Sequence, residues 1–211
     1  MEQPLTYRWQ SAENYYTAML TPDLFGGWTL VTASGSHDGD LEVPSGTIVR
    51  VPDLLTDLFP GVMGNVSGAL HITSARGLVI LSRIYNLTDD GTYGQFVPAL
   101  TDTELLAPDE KGFVLQLANN PDHRCNFGLT EMSMVDTQVR VELYDARGDS
   151  LAEREILVPA GRNVQINGVF PAWGVAQSVD VAWAEVEVVS GGRIYAYASV
   201  ADNRTGDAVF S

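Results

Sequence analysis

Thr137 to Tyr144 reads T-Q-V-R-V-E-L-Y, and Asp145 to Asp149, D-A-R-G-D, follows it. Val139, Val141 and Leu143 alternate with Gln138, Arg140 and Glu142, the period-two pattern of an antiparallel strand with one face buried. The D-A-R-G-D segment carries turn residues at both ends, and Leu151 to Val158 supplies a returning strand. The stretch is therefore a hairpin by its own chemistry. Working outward, strands are predicted at Phe113–Ala118, Asn126–Glu131, Arg162–Asn167, Ser178–Val188 and Arg193–Ala201. Further strands are predicted at Leu5–Trp9, Tyr15–Leu20, Trp28–Ala33, Thr47–Val51, Ala69–Thr73 and Leu78–Tyr85, with one short helix at Pro52–Phe59. Short strands separated by frequent turns specify an all-β chain of the sandwich class.

Within Ser178–Val188 the parity changes. Val179, Val181 and Trp183 share one face, then Val186 and Val188 take over while Glu185 and Glu187 hold the earlier parity. A bulge near Ala184, or passage from one sheet to the other, accounts for the change. Thr101 to Gly112, T-D-T-E-L-L-A-P-D-E-K-G, has the composition of a linker. It divides the chain into an N-terminal domain, residues 1–105, and a C-terminal domain, residues 106–211.

The two halves share an internal pattern. Pro44-Ser45-Gly46 before Thr47–Val51 parallels Pro159-Ala160-Gly161 before Arg162–Ile166. Gly77–Asn86 parallels Gly192–Asn203, and each runs into a Thr/Gly/Asp turn, Thr88–Gly91 and Thr205–Asp207. Both matches have an offset of about 115 residues, so two tandem antiparallel β-sandwich domains, Ig-like and related by internal duplication, are expected.

Composition restricts function. The 211 residues carry 27 acidic against 12 basic side chains, a net charge of -15, and Lys111 is the one lysine. A chain this acidic lacks the cationic face that nucleic acid or an anionic membrane surface requires. At 45% hydrophobic it is too apolar to be disordered. A single cysteine, Cys125, forms no internal disulfide. Met1-Glu2-Gln3-Pro4 does not open a leader peptide, and the apolar runs are strand-sized, so no membrane insertion is expected.

Three segments carry a resemblance. They are Ser82-Arg83-Ile84-Tyr85-Asn86 with Gly91-Thr92-Tyr93-Gly94-Gln95 and Pro98; Arg124-Cys125-Asn126-Phe127-Gly128-Leu129; and Ser199 to Asp207. Residues 40–210 thereby resemble secreted bacterial tandem β-sandwich modules of undetermined function. The resemblance implies an extracellular, non-enzymatic module, often part of a larger surface protein. Residues 1–35 depart from that pattern. Asp23 to Leu30 is similar to the opening strands of WGR-type domains, although Thr32-Ala33-Ser34-Gly35 stands where the W-G-R signature would be.

Several constellations are candidate sites. Trp183, Tyr195 and Tyr197 could form a sugar-stacking platform, since Tyr195 and Tyr197 share a strand face. Asp89 with Asp90, Asp202 with Asp207, and Asp38 with Asp40 place carboxylates in turns, where calcium could bind. Each aspartate is equally explained by turn formation. Arg147-Gly148-Asp149 is an RGD tripeptide at the predicted hairpin tip, a receptor-type turn that would present opposite charges on a projecting loop, although D-A-R-G-D is also a good turn sequence in its own right. His37, His71 and His123 lack zinc-ligand spacing. Gly64-Asn65-Val66-Ser67-Gly68 is not a nucleophile elbow. His123 with Cys125, and Glu185 with Glu187 about 7 Å apart on a strand face, are better read as packing and as a solvated face. The sequence therefore predicts no enzyme and no resident cofactor, calcium aside. It predicts an extracellular structural or adhesion module binding protein or surface polymer. The alternatives are a carbohydrate-binding module and a subunit that self-associates by strand addition.

Overall fold

The computed structural model describes residues 15–22, 29–31, 41–44, 46–60, 70, 72, 78–88 and 91–211. The described chain is all-β with antiparallel sheets, and it divides into two compact units, residues 1–99 and 100–211. The expected strands at Leu5–Trp9 and Ala69–Thr73 lie outside the described residues, Leu70 and Ile72 excepted. So do Asp38, Asp40, Asp89, Asp90, His37, His71, Gly64–Gly68 and most of residues 1–35.

In the first unit, β1 (Tyr15–Pro22), β4 (Val49–Val51), β5 (Leu78–Thr88) and β6 (Gly91–Pro98) form one sheet in the order β4-β1-β5-β6. β2 (Thr29–Val31) pairs with β3 (Leu41–Val43). Helix α1 (Leu54–Leu58) follows β4 and buries Leu54, with buried Phe59 just beyond it. Pro60 ends it where the sequence predicts.

The second unit contains β7 (Lys111–Asn119), β8 (His123–Glu131), β9 (Thr137–Asp145), β10 (Ser150–Val158), β11 (Asn163–Ile166), β12 (Val179–Ser190), β13 (Ile194–Asp202) and β14 (Ala208–Phe210). They make two four-stranded sheets, β10-β9-β12-β7 and β11-β8-β13-β14. Both sheets feed one core. Val139, Val141 and Leu143 of β9 and Ala182, Ala184, Val186 and Val188 of β12 meet Cys125, Phe127 and Leu129 of β8 and Ile194 and Ala198 of β13. This sandwich-like packing is the main source of stability, at roughly 1.5–3 kcal/mol for each large aliphatic side chain fully withdrawn from water. Helix α2 (Val169–Ala172) closes the core with Val169, Phe170 and nearby Trp173. Pro171 hides this helix from a pattern reading, yet it lies in the first turn, where a missing N–H costs nothing.

Two expectations are corrected. Thr101–Gly112 is bound to the second unit along its length. Leu105 is buried, Leu106 exchanges backbone hydrogen bonds with Ile194, and the Asp109 N–H donates to Val188 O. The polar composition reflects a surface strap with local turns. The parity change of β12 sits earlier than Ala184. Ala182, Ala184, Val186 and Val188 all face the core, and the register against β7 shifts between Val179 and Ala182 and again between Ala182 and Ala184. Gln116, at φ +60°, absorbs the extra residue on β7. Val181 and Trp183 therefore point outward, and small alanines take the inner positions.

One buried carboxylate ties an end of this two-sheet unit together. Glu131 is fully buried. Its Oε1 accepts the Ser133 N–H at 2.6 Å, and its Oε2 accepts the N–H groups of Val135 (3.2 Å) and Gly161 (2.7 Å). It links the β8–β9 loop to the β10–β11 turn, and Gly192 packs on it so closely that a Cβ would collide with Oε1.

Candidate functional site

The outer face of the β10-β9-β12-β7 sheet is organised in cross-strand rows, because residues in register point to the same side. Lys111, Glu187, Arg140 and Glu155 form the first row. Phe113, Glu185, Glu142 and Glu153 form the second. Trp183 and Tyr144 pair in the third, beside Leu115 on the bulged strand, and Val181 extends the apolar strip toward the β9–β10 turn. Phe113, Leu115 and Val181 are 61%, 58% and 58% exposed, a concentration of large apolar side chains on one face.

The aromatic rings on this face are engaged with one another. Tyr144 and Trp183 stack at 4.2 Å with 12° between planes, and the Phe113 ring meets Trp183 edge-on at 5.8 Å. The Tyr144 hydroxyl donates to Glu142 Oε2 at 2.6 Å, and that bond is the first cause pushing the phenol up to about 12. Hydrogen bonds from Ser150 and Tyr144 hold the Glu142 carboxyl below its usual range.

Tyr195 and Tyr197 lie elsewhere. They sit on the outer face of the other sheet, where Tyr197 stacks on Phe210 at 5.1 Å and on Tyr195 at 6.0 Å. The Tyr197 ring covers Gly128, whose missing side chain is what admits it. The Tyr197 hydroxyl accepts from Asn163 Nδ2 at 3.0 Å and donates to Gln165 Oε1 at 3.2 Å. Burial raises both phenols, that of Tyr195 to about 12. Trp183, Tyr195 and Tyr197 therefore form no common platform. Alternation places residues on a face, but only the sheet order decides which sheet each strand joins. Tyr144 and Phe113, the real neighbours of Trp183, are legible as outward positions once the inward parity of their strands is known.

The RGD tip is folded on itself. The Asp145 carboxylate accepts the N–H groups of Arg147 (2.8 Å) and Asp149 (3.0 Å), and these bonds hold it below its usual range. The Arg147 guanidinium lies 3.1 Å from Asp145 and 3.3 Å from Asp149. Arg147 and Asp149 thus pair with each other instead of diverging, with Gly148 at φ +85° making the turn.

The remaining candidates have structural partners. Asp202 Oδ1 accepts the N–H groups of Arg204 (2.7 Å) and Thr205 (2.9 Å), and Asp207 Oδ1 accepts that of Ala208 (3.1 Å). Each of these carboxylates serves its own turn. Among the described residues no three His, Cys, Asp or Glu side chains gather as a metal site. Glu185 pairs with Lys111, and Glu187 with Arg140 at 2.8 Å. The Cys125 thiol is fully buried, and burial pushes it up to about 12. Its neighbour two residues away, His123, bonds to Asn120. No described helix is long and apolar enough to cross a membrane.

No protein-family model matches this chain, and no curated protein matches it. A solved structure, the VP2 subviral particle of infectious bursal disease virus, is similar at 13% identity with a TM-score of 0.20. The match covers 92% of this chain and 57% of that one. The chain thus spans little more than half of that neighbour's length, and a likeness this slight carries no argument about fold or activity.

Proposed function

We propose that this chain is a non-catalytic, extracellular structural or adhesion module that binds another protein through the outer face of the β10-β9-β12-β7 sheet. The observation that carries the reading is the exposed strip of Leu115, Val181 and Phe113 beside the Tyr144–Trp183 stack. Sugar stacking relies on aromatic faces, and the aliphatic Leu115 and Val181 offer none. A protein surface needs only apolar area with a polar rim, which this face offers. The buried Cys125 thiol and the ion-paired Glu185 and Glu187 supply no activated nucleophile or acid–base pair, which favours binding over catalysis. The extracellular setting rests on the resemblance of residues 40–210 to secreted modules.

The reading includes duplication of an Ig-like unit. Val43 and Val158 are both fully buried and are in register with Thr29 and Thr137 respectively. Each is followed by a Pro-x-Gly turn, closed by Thr47 N–H to Pro44 O (3.2 Å) and by Arg162 N–H to Pro159 O (3.0 Å). The glycines stand at φ +73° and +63°, where a side chain would be strained. Short helices then follow β4 and β11. The sheets β4-β1-β5-β6 and β11-β8-β13-β14 have corresponding orders, with Leu20 paired to Val49 and Ile80, and Leu129 to Val164 and Ala196. In the second unit, pairing of β8 with β11 and of β9 with β12 supports a Greek-key sandwich.

Glycan-array binding by the intact chain, together with hydrolase assays on ester and glycoside substrates, tests the reading. Both are expected to be blank. Glycan binding lost on Trp183→Ala, or hydrolysis lost on Glu185→Gln, would overturn it.

A further inference from the structure

We propose that the outer face of the β10-β9-β12-β7 sheet receives a cationic polypeptide segment in which a Lys or Arg lies two positions from an apolar side chain, an inference that rests on the protein-binding reading above. Glu153, Glu142 and Glu185 are cross-strand partners in one row. Like charges directly opposite each other destabilise a sheet. Relief within the protein is partial. Lys111 reaches Glu185, while Arg140 Nε lies 3.8 Å from Glu153 and is already committed to Glu187 at 2.8 Å and Glu155 at 3.2 Å. Glu142 has no cation within ion-pair distance among the described residues, and its side-chain partners are the neutral hydroxyls of Ser150 and Tyr144. The face as a whole sets Lys111 and Arg140 against Glu142, Glu153, Glu155, Glu185 and Glu187, two cations against five carboxylates.

The adjacent row is the apolar strip. Leu115, Trp183 and Tyr144 lie one strand repeat from the glutamates, about 7 Å along the strand. An extended ligand running with the strands has the same repeat between residues i and i+2. Its cation would stand over the glutamate row while its apolar side chain rests on Leu115 and Val181. A second copy of this chain, at a net charge of -15, is repelled by such a surface.

The test uses the intact chain and a short synthetic peptide of Leu-Ser-Lys-Ser repeats. Two control peptides replace Lys by Glu or Leu by Ser. Amide shifts of β7, β9 and β12 are followed by NMR titration. The Lys/Leu peptide is expected to shift these strands, to weaken with added salt, and to lose about tenfold in affinity on Glu142→Gln or Glu153→Gln. It should lose comparably on Leu115→Ser, an exposed position whose change leaves the core intact. Equal binding by the Ser-substituted peptide, or no effect of either glutamate variant, overturns the proposal. Binding of the Glu peptide, sensitive to Leu115→Ser, overturns the cationic partner while leaving the face as a protein-binding surface. Insensitivity of every peptide to Leu115→Ser removes both. Dimerisation seen by light scattering and abolished by Leu115→Lys assigns the face to a second copy and also overturns the proposal.

Discussion

Truncating Glu131 tests whether the second unit depends on a single buried acceptor. Its carboxylate takes three backbone N–H groups, from Ser133, Val135 and Gly161, and no arginine or lysine pairs with it among the described residues. Glu131→Ala removes all three acceptors and leaves the donors facing a cavity. Hydrogen bonds to a charged group contribute about 1.5–3 kcal/mol each. The 3.2 Å bond belongs at the weak end, and relief of the buried charge offsets part of the loss. The expected net cost is about 3–5 kcal/mol. Glu131→Gln should cost less, about 2 kcal/mol, because an amide oxygen at the Oε2 position still serves Val135 and Gly161 while its NH2 opposes the Ser133 donor. Denaturant unfolding followed by emission of Trp173 and Trp183, with Trp9 and Trp28 replaced by Phe, reads both values. A loss below about 1 kcal/mol for the alanine variant, or equal losses for the two, would refute the acceptor account.

Cys125 should resist a thiol reagent at pH 8 until the chain unfolds, since burial lifts it from the ordinary 9.0 to about 12. The unfolded state loses this proton first, so the contribution to stability is complete below pH 9 and falls between pH 9 and 12, by up to about 1.4 kcal/mol per pH unit; a flat alkaline limb in denaturant titrations would contradict it. Gly128→Ala should cost roughly 1–3 kcal/mol by driving a Cβ into the Tyr197 ring. Adding Tyr197→Ala should make the pair of changes less than additive, as a double-mutant cycle would read. Arg140→Met should cost under about 1 kcal/mol despite its contacts with Glu187, Glu155 and Glu153, because these pairs are solvated; a larger loss in thermal unfolding would show a cooperative network.

Glu131 also shows what a pattern reading misses. It follows Phe127 and Leu129 on the inward parity of β8 and ends the predicted strand, yet nothing in its neighbours announces a buried acid. The donors that neutralise it come from residues 133, 135 and 161, and the last is contributed by another loop. β6 escaped a propensity reading for a different reason. Its Gly, Pro and polar content is tolerated because, among the described residues, it is an edge strand paired on one side only.

The hairpin at Thr137–Val158 was determined by local sequence, because side chains alternate at every step of a strand and D-A-R-G-D closes on its own Asp145. The all-β class followed from repeating that logic along the chain. Tertiary structure alone decided the candidate surface. Which way Trp183 points depends on bulges defined against β7, and whether it meets Tyr195 depends on which sheet each strand joins. Register and sheet membership arise from pairing between distant residues. Local periodicity constrains a side chain only relative to its own strand.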